Sequence, residues 1–293
     1  MQDVFATRED PTFYLTRLFL PVTEADGTRA LLCADLSPEN RMWIRAYAGD
    51  LPFRAVSRGE VLAALRARFG PALLDDAVFG LARRTPELSA QTVATRGQVI
   101  ALILLVLALV GGLVWHPVAT GRAVALVLSL AYIASGLFRA SLALLGSGAS
   151  PKFAPATAAL PLYTILVPLY REVAVLPALV KAMRALDYPP ERLDIKLVLE
   201  ADDHQTIAAA RGLCDSGAAS FDLVLVPPGG PRTKPKAINY ALAFARGEYL
   251  VIYDAEDRPQ PDQLRRAVAT FRASPRTMAC LQARLNFYNA RHN

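Results

Sequence analysis

The sequence is poor in cysteine and histidine, with three of each among 293 residues. Cys33, Cys214 and Cys280 lie far apart and are odd in number, which argues against a disulfide framework and is typical of reduced thiols. The three histidines are equally scattered, so no His/Cys zinc site is predicted.

Several signature motifs are also absent. No Gly-x-Gly-x-x-Gly follows a predicted strand and no P-loop occurs, which argues against a nicotinamide dehydrogenase and a P-loop kinase. The net charge is +6 and the pI is near 9.4. No basic-aromatic cluster accompanies that charge, so no nucleic-acid partner is predicted. The positive flanks of a membrane protein explain the charge better.

Charged residues are missing from the whole stretch 97–121, and residues 99–115 are almost wholly apolar. That length can span a bilayer. A second apolar stretch, 123–145, is interrupted only by Arg139, which can snorkel to the interface near one end. A buried hairpin of a soluble protein is the alternative, but the first stretch is too long and too apolar for it. The sequence therefore predicts a transmembrane helical hairpin over residues 97–146.

The positive residues around this hairpin predict its orientation. Arginines precede it at positions 83, 84 and 96, and Arg139 and Lys152 lie at its far end. The connection between the two stretches carries only Arg122. By the positive-inside rule, both ends of the chain are expected in the cytoplasm, and the bilayer is an expected partner.

Residues 1–90 are predicted to form a small α+β domain. Ser37 followed by Pro38 starts one helix, and Ser57 with Glu60 forms a capping-box pattern ahead of another. The expected strands cover residues 18–22, 30–33 and 51–56, and separate helices are expected over 61–69 and 72–83. No catalytic group of residues is apparent in this segment, so it is expected to bind a protein or nucleotide ligand or to position the rest of the chain.

Residues 155–293 alternate between strand and helix patterns. Strands are predicted over residues 163–169, 194–199, 221–226, 249–253 and 278–285, with helices between them. This alternation predicts an α/β, Rossmann-like domain with a mostly parallel sheet and crossover helices.

Polar side chains follow the predicted strands where each one ends. The run 249–253 stops in Asp254-Ala-Glu256-Asp257, and these carboxylates suit a divalent metal and a phosphate-bearing substrate. Lys234-Pro-Lys236 lies just upstream and can supply cationic contacts to the same phosphates. Any single acid here could be a helix N-cap. Because polar residues follow four strands and these strand ends meet at one edge of a parallel sheet, a ligand site is favoured there.

Four short motifs carry a resemblance to a known family. They are Val167-Pro-Leu-Tyr170-Arg-Glu172, Asp202-Asp203, Lys234-Pro-Lys236-Ala-Ile-Asn239, and Asp254-Ala-Glu256-Asp257 followed by Pro259 and Asp262. In order and spacing, residues 161–285 resemble the nucleotide-binding part of a membrane-anchored, cellulose-synthase-like family 2 glycosyltransferase of the GT-A fold. Residues 1–90 resemble, less firmly, the N-terminal domain of type II secretion ATPases. The resemblance implies a multi-pass protein of the bacterial inner membrane with both termini cytoplasmic.

The resemblance implies a pocket for the nucleotide base. Pro168, Tyr170 and Glu172 would shape that pocket. Either Asp202 or Asp203 would contact the uracil or the ribose, and the sequence does not choose between them.

The resemblance also implies how the diphosphate is held. Lys236 and Asn239 would contact the nucleotide and its diphosphate. Asp254 would contact the sugar nucleotide and a Mg²⁺ or Mn²⁺ ion. The family's second metal position is Glu256 here, with Asp257 beside it, so the second ligand stays open between those two.

The function implied is an inverting, metal-dependent transfer of a hexose from a nucleotide sugar, a UDP-sugar by resemblance, in polysaccharide or glycoconjugate synthesis. The acceptor would be a saccharide or a lipid. The family's general base and its Gln-x-x-Arg-Trp motif do not occur before Asn293, so we expect a C-terminally truncated domain with its base beyond that residue. Two alternatives stay open: an inactive nucleotide-sugar-binding remnant, and a membrane-anchored regulatory or binding protein.

Overall fold

The computed structural model describes residues 11–24, 27–145, 159–215 and 221–283. The chain divides into two compact units, one made of Met1–Arg83 with Phe153–Asn293 and the other of Arg84–Lys152. The two ends of the sequence therefore belong to the same unit, and the apolar middle of the chain forms the other.

The N-terminal part of the first unit is a small α+β fold. Its elements are α1 (Pro11–Arg17), β1 (Phe19–Thr23), β2 (Arg29–Cys33), α2 (Pro38–Ala48), β3 (Phe53–Ala55) and α3 (Arg58–Arg84). The strands form a sheet in the order β1-β2-β3, antiparallel between the first pair and parallel between the second. The Ser37 hydroxyl accepts from the Asn40 N–H at 3.4 Å, and the Glu60 carboxylate accepts from the Ser57 N–H at 2.7 Å. Both predicted helix starts are confirmed.

Helix α3 differs from the prediction. The two helices expected over 61–69 and 72–83 are one helix of 27 residues with Pro71 inside it. A proline removes one backbone hydrogen bond and normally breaks a helix. Here the buried positions 61, 65, 69, 73 and 77 continue one stripe across the proline. Burial of this stripe stabilises the helix through the break, since tertiary packing supplies most helical stability.

The second unit contains two long apolar helices, α4 (Arg96–Trp115) and α5 (Pro117–Leu145). Both are long and apolar enough to cross a membrane, and neither has buried residues in the structure. Only His116 separates them. The predicted connection around residues 117–122 is instead the start of α5, where Pro117 occupies the favoured first position.

The remainder of the first unit is an α/β fold. Its elements are β4 (Tyr163–Leu169), α6 (Leu176–Arg184), β5 (Leu193–Glu200), α7 (His204–Asp215), β6 (Phe221–Val226), α8 (Lys234–Leu242), β7 (Tyr249–Ile252) and α9 (Gln263–Ala273). The four strands pair in the order β6-β5-β4-β7, and every pair is parallel. The predicted class, α/β with a parallel sheet, is confirmed.

The strand predicted over residues 278–285 is not present in the part of it that the structure describes. Residues 278–283 have no strand conformation, and residues 284–285 lie outside the described residues. Met278 and Cys280 are exposed in this stretch. Apolar β-formers alone do not make a strand without cross-strand packing.

The two faces of the parallel sheet pack against different partners. Successive side chains of a strand point to opposite faces. One face, with Ile165 and Leu197, packs on α6, α7 and α9. The other, with Leu166, Val198 and Val224, packs on α8 and on the N-terminal fold, including α3. The N-terminal fold therefore covers one face of the α/β sheet.

Candidate functional site

The strand order identifies where a ligand site is expected. From β4 the chain moves to β5 and then to β6 on one side, and β7 returns to the other side of β4. In open α/β sheets ligands bind beyond the carboxyl ends of the strands at such a reversal. The segments that follow β4 and β7 carry Glu172, Asp254 and Glu256, so the predicted acids lie at this point.

These acids form a charged cluster with one lysine. Burial raises the pKa of Glu172, the Glu256 carboxylate raises it further, and Lys234 opposes the shift. The Lys234 ammonium pairs with the Asp254 carboxylate. Asp257 accepts a hydrogen bond from the Asp254 N–H at 2.8 Å, which closes a turn under the site. The cluster therefore combines carboxylates that repel one another with a lysine whose ammonium could contact a ligand in place of Asp254.

Asp202 and Asp203 have different environments. Asp203 is buried, and its carboxylate accepts from the backbone N–H groups of Arg171 at 2.6 Å and Thr206 at 3.2 Å. Burial alone would raise the pKa of Asp203, but the hydrogen bonds from Thr206 and Arg171 lower it overall. Asp202 is more exposed and pairs with Arg232. Asp203 thus connects its own loop after β5 to the loop after β4 that contains Arg171. The partner of Asp202 is the exposed Arg232 side chain, which could contact a ligand instead.

A cavity of about 580 Å³ lies between the loop after β4 and the start of α7. Its lining residues are Tyr170, Arg171, Val173, Asp202, Asp203, His204 and Gln205. Tyr170 is exposed, and the Arg171 guanidinium lies 5.1 Å from its ring centroid. An aromatic face beside carboxylate acceptors suits a flat polar ring, and the volume is that of a small-molecule pocket. Pro168 lies in β4 and does not line the cavity.

Lys236 and Asn239 make internal contacts. The Lys236 ammonium is buried, 2.9 Å from the Glu200 carboxylate and 3.0 Å from the Gly229 carbonyl oxygen. The Asn239 amide donates to the Ala77 carbonyl oxygen in α3 at 3.0 Å. Neither polar group points to the charged cluster. The cluster lysine is Lys234, which the sequence motif contains but does not single out.

The helical period of α8 does not single out Lys234. The buried residues of α8 are Lys236, Ala237, Tyr240 and Ala241, which repeat at the spacing of one helix face. Lys234 lies beside that face, three residues before Ala237, but it is the first residue of the helix and its side chain is 46% exposed.

The metal prediction depends on the chemistry of the donors. Among the residues that the structure describes, no group of three or more His, Cys, Asp or Glu side chains is arranged to hold a metal ion. Asp254, Glu256 and Asp257 nevertheless offer carboxylate oxygens, the ligands that Mg²⁺ prefers. Magnesium is commonly held by one or two carboxylates together with substrate phosphates. The residues therefore fit an ion that arrives with a diphosphate.

Residues 164–293 match the family model described as glycosyl transferase family 2. This segment is a glycosyltransferase family 2 domain. Together with the parallel sheet, the match confirms the predicted GT-A-like α/β fold. The transferase domain is also similar to the probable glycosyltransferase YdaM of Bacillus subtilis (strain 168), with 27% identity over 110 residues. That similarity covers 38% of this chain and 26% of YdaM, so the chain spans about a quarter of that relative.

Two solved structures are also similar to part of this chain. One is the mannosyltransferase PcManGT from Pyrobaculum calidifontis in complex with GDP-Man and Mn²⁺, with 29% sequence identity and a TM-score of 0.43. The similarity covers 52% of this chain and 44% of the PcManGT chain. S. aureus TarS 1–349 is 21% identical with a TM-score of 0.31, over 38% of this chain and 32% of its own.

Proposed function

We propose that this chain is part of a membrane-anchored glycosyltransferase that transfers a sugar from a nucleotide-sugar donor to an acceptor hydroxyl. The observation that carries the proposal is the family match of residues 164–293, the segment in which Asp254 and Lys234 meet at the strand ends. The donor class, a UDP-sugar, and the inverting outcome come from the sequence resemblance. The acceptor class proposed is a saccharide or a lipid.

The charged cluster can supply what the reaction needs. Breaking a sugar–phosphate bond builds negative charge on the diphosphate leaving group, and a fixed cation there lowers the barrier. Lys234 can leave Asp254 for the diphosphate, and Arg232 can leave Asp202 in the same way. A bound Mg²⁺ or Mn²⁺, held by Asp254 with Glu256 or Asp257, would add positive charge beside the leaving group.

The cavity beside Tyr170 is the proposed base pocket. Tyr170 offers an exposed aromatic face, and the Asp202 carboxylate can accept a hydrogen bond from a base or ribose. Asp203 would act by holding the Arg171 N–H and hence the loop that carries Tyr170. The acceptor must also lose its proton to a general base, and we assign that role to none of the described residues.

We further propose that α4 and α5 anchor the protein in the bacterial inner membrane. Both helices are long and apolar enough to span it, and stretch 97–121 lacks charge. The arginines and lysine flanking the hairpin favour cytoplasmic termini. The protein should stay in the membrane pellet after alkaline carbonate washing. Release into the supernatant would contradict the anchor.

Donor binding tests the transferase proposal directly. The full chain in detergent should bind a nucleotide sugar by calorimetry in the presence of Mg²⁺ or Mn²⁺. Charge-assisted hydrogen bonds contribute about 1.5–3 kcal/mol, so Lys234→Ala should weaken binding by about 10- to 100-fold. Asp187→Asn is the matched control, because Asp187 is exposed and pairs with Arg265 on the surface.

Asp254→Asn separates a metal role from a simple ion pair. With metal present it should weaken donor binding, because a ligand is lost. With EDTA present it should bind at least as tightly as the native chain, because Lys234 no longer has a competing carboxylate. A native chain that binds no nucleotide sugar with either metal would refute the proposed function.

A further inference from the structure

Helix α3 is anchored at the amino-terminal edge of the transferase sheet. The Arg58 guanidinium lies 4.0 Å from the Asp194 carboxylate and 3.8 Å from that of Asp222, near the starts of β5 and β6. Two turns further on, Arg66 donates to the Leu223 carbonyl oxygen at 2.7 Å. The start of α3 is thus tied to the edge opposite the charged cluster.

The later turns of α3 reach the other edge of the sheet. A Cβ added to Gly70 would lie 3.6 Å from the Pro227 ring, and one added to Gly229 would lie 2.7 Å from the Leu74 side chain. The Ala77 carbonyl oxygen accepts from the Asn239 amide at 3.0 Å. Pro227 and Gly229 lie in the segment that follows β6, and Asn239 lies in α8, into which that segment leads.

Simple geometry supports this course. A helix rises about 1.5 Å per residue, so α3 covers about 24 Å between Arg58 and Leu74. An extended chain rises about 3.3 Å per residue, so at most about 23 Å separate Asp222 from Gly229. The contacts at Leu223, Pro227 and Gly229 follow one another along α3, so α3 runs alongside β6 from one edge of the sheet to the other.

The segment that α3 contacts carries the cations of the candidate site. The Gly229 carbonyl oxygen accepts from Lys236, which pairs with Glu200. Arg232 and Lys234 follow in the same segment and pair with Asp202 and Asp254. A shift of the backbone at Gly229 would therefore move both exposed cations relative to the rim.

We propose that α3 is a positioning element of the donor site. In this view Gly70, Leu74 and Ala77 hold residues 227–239, so that Arg232 and Lys234 face the carboxylates at the ends of β5 and β7. The N-terminal fold then contributes to the geometry of the donor site in the first unit. The proposal rests on the proposed function for its binding consequence, but its structural consequence can be measured without any donor.

Leu74→Ala in the full chain is the test. Hydrogen exchange of the peptide covering residues 234–242, the hydrogen-bonded helix α8 into which this segment leads, should become faster, because the Leu74 side chain no longer packs against Gly229. The Kd for a UDP-sugar with Mg²⁺ should rise about three- to thirtyfold, the usual range for coupling through packed contacts. Leu74→Met should restore both values, since the two side chains have similar volume.

Ile44→Ala is the control. Ile44 is fully buried in α2, so its truncation destabilises the N-terminal fold without removing a contact to residues 227–239 named above. It should leave the exchange of residues 234–242 and the Kd near the native values. Native exchange in Leu74→Ala, or an equal rise in Kd for Ile44→Ala, would overturn the inference. If the native chain bound no donor, but its exchange still differed from that of Leu74→Ala, the proposed function would be refuted and the positioning contact would be retained.

Discussion

Asp194 is a buried carboxylate of the first unit with several hydrogen-bond donors, and we predict that Asp194→Asn destabilises this unit strongly. Its side chain is 1% exposed. It accepts from Thr164 Oγ1 at 2.9 Å, from Lys196 Nζ at 3.0 Å and from the Arg246 backbone N–H at 3.1 Å. The Arg246 guanidinium adds bonds of 2.9 and 3.0 Å. An asparagine keeps the shape of the side chain but removes its charge and turns one acceptor into a donor.

The magnitude follows from the burial of the partner. Lys196 is fully buried, and without the Asp194 charge its close carboxylate is that of Asp222 at 3.1 Å, which is partly exposed. Removing one partner of a buried ion pair costs about 3–5 kcal/mol. For a unit of this size that lowers the melting temperature by about 6–20 °C. Asp187→Asn, on an exposed pair with Arg265, should cost less than about 1 kcal/mol.

The pH dependence gives a second, independent readout. Burial alone would raise the pKa of Asp194, but Lys196, Arg246 and the hydrogen bonds lower it overall. A carboxylate with a lowered pKa stabilises the fold above its unfolded pKa of about 3.9, and that stability is lost as the pH falls through the folded value. The gap between native and Asp194→Asn melting temperatures should be full at neutral pH and shrink below about pH 4. A gap that equals the Asp187→Asn control, or one that is constant from neutral to acid pH, would refute the reasoning.

Three further predictions concern single side chains. Glu172→Gln should raise the melting temperature at pH 8, because burial and then Glu256 raise the pKa of Glu172 and so penalise its ionised form. The gain should fade towards pH 4, where Glu172 is protonated in the native protein. Identical melting temperatures of the native and variant proteins at pH 8 would contradict this. Gly247→Ala should cost about 1–3 kcal/mol or more in urea unfolding, because its Cβ would collide with the Thr164 nitrogen and the Tyr249 oxygen. Gly212→Ala in α7 should instead stabilise by about 0.5–1 kcal/mol, since nothing lies within 4 Å of its added Cβ; a loss of stability there would show a contact that the structure lacks.

Local patterns in the sequence predict the α/β fold well. Strand β4 is mainly apolar and β5 carries Asp194 and Lys196 among its apolar residues, and the structure has them at residues Tyr163–Leu169 and Leu193–Glu200. Crossover helices between such runs leave a parallel sheet as the natural solution. The neighbour of each strand is not a local property. The sequence therefore gives no sign that β7 pairs with β4, with Ile165 opposite Val251, and this pairing is what creates the ligand edge.

Side-chain directions at the candidate site were harder to predict for the same reason. Lys236 and Asn239 belong to the motif that the resemblance assigns to the nucleotide, and their roles remain predictions. In the structure their partners are Glu200 and Ala77, which are 36 and 162 positions away in the chain. No local rule identifies such contacts. The roles of Asp202 and Asp203 likewise remain predictions, and the bonds from the Arg171 and Thr206 backbone N–H groups to Asp203 are not visible in the sequence.

The apolar residues of the parallel strands indicate that a further layer, here the N-terminal fold, must cover the sheet. Strands of a parallel sheet read as continuous apolar runs because both faces are covered. Helices α6, α7 and α9 all pack on one face, so only α8 among the crossover helices is left for the other. Helix α8 contacts β4, β5 and β6, and Leu166, Val198 and Val224 on these three strands also pack against the N-terminal fold. The apolar residues on that face therefore require a further layer, and α3 with the N-terminal core provides it. A covering element that must lie along the sheet also reaches its carboxyl edge, so burial of that face brings α3 to the segment that carries Arg232 and Lys234.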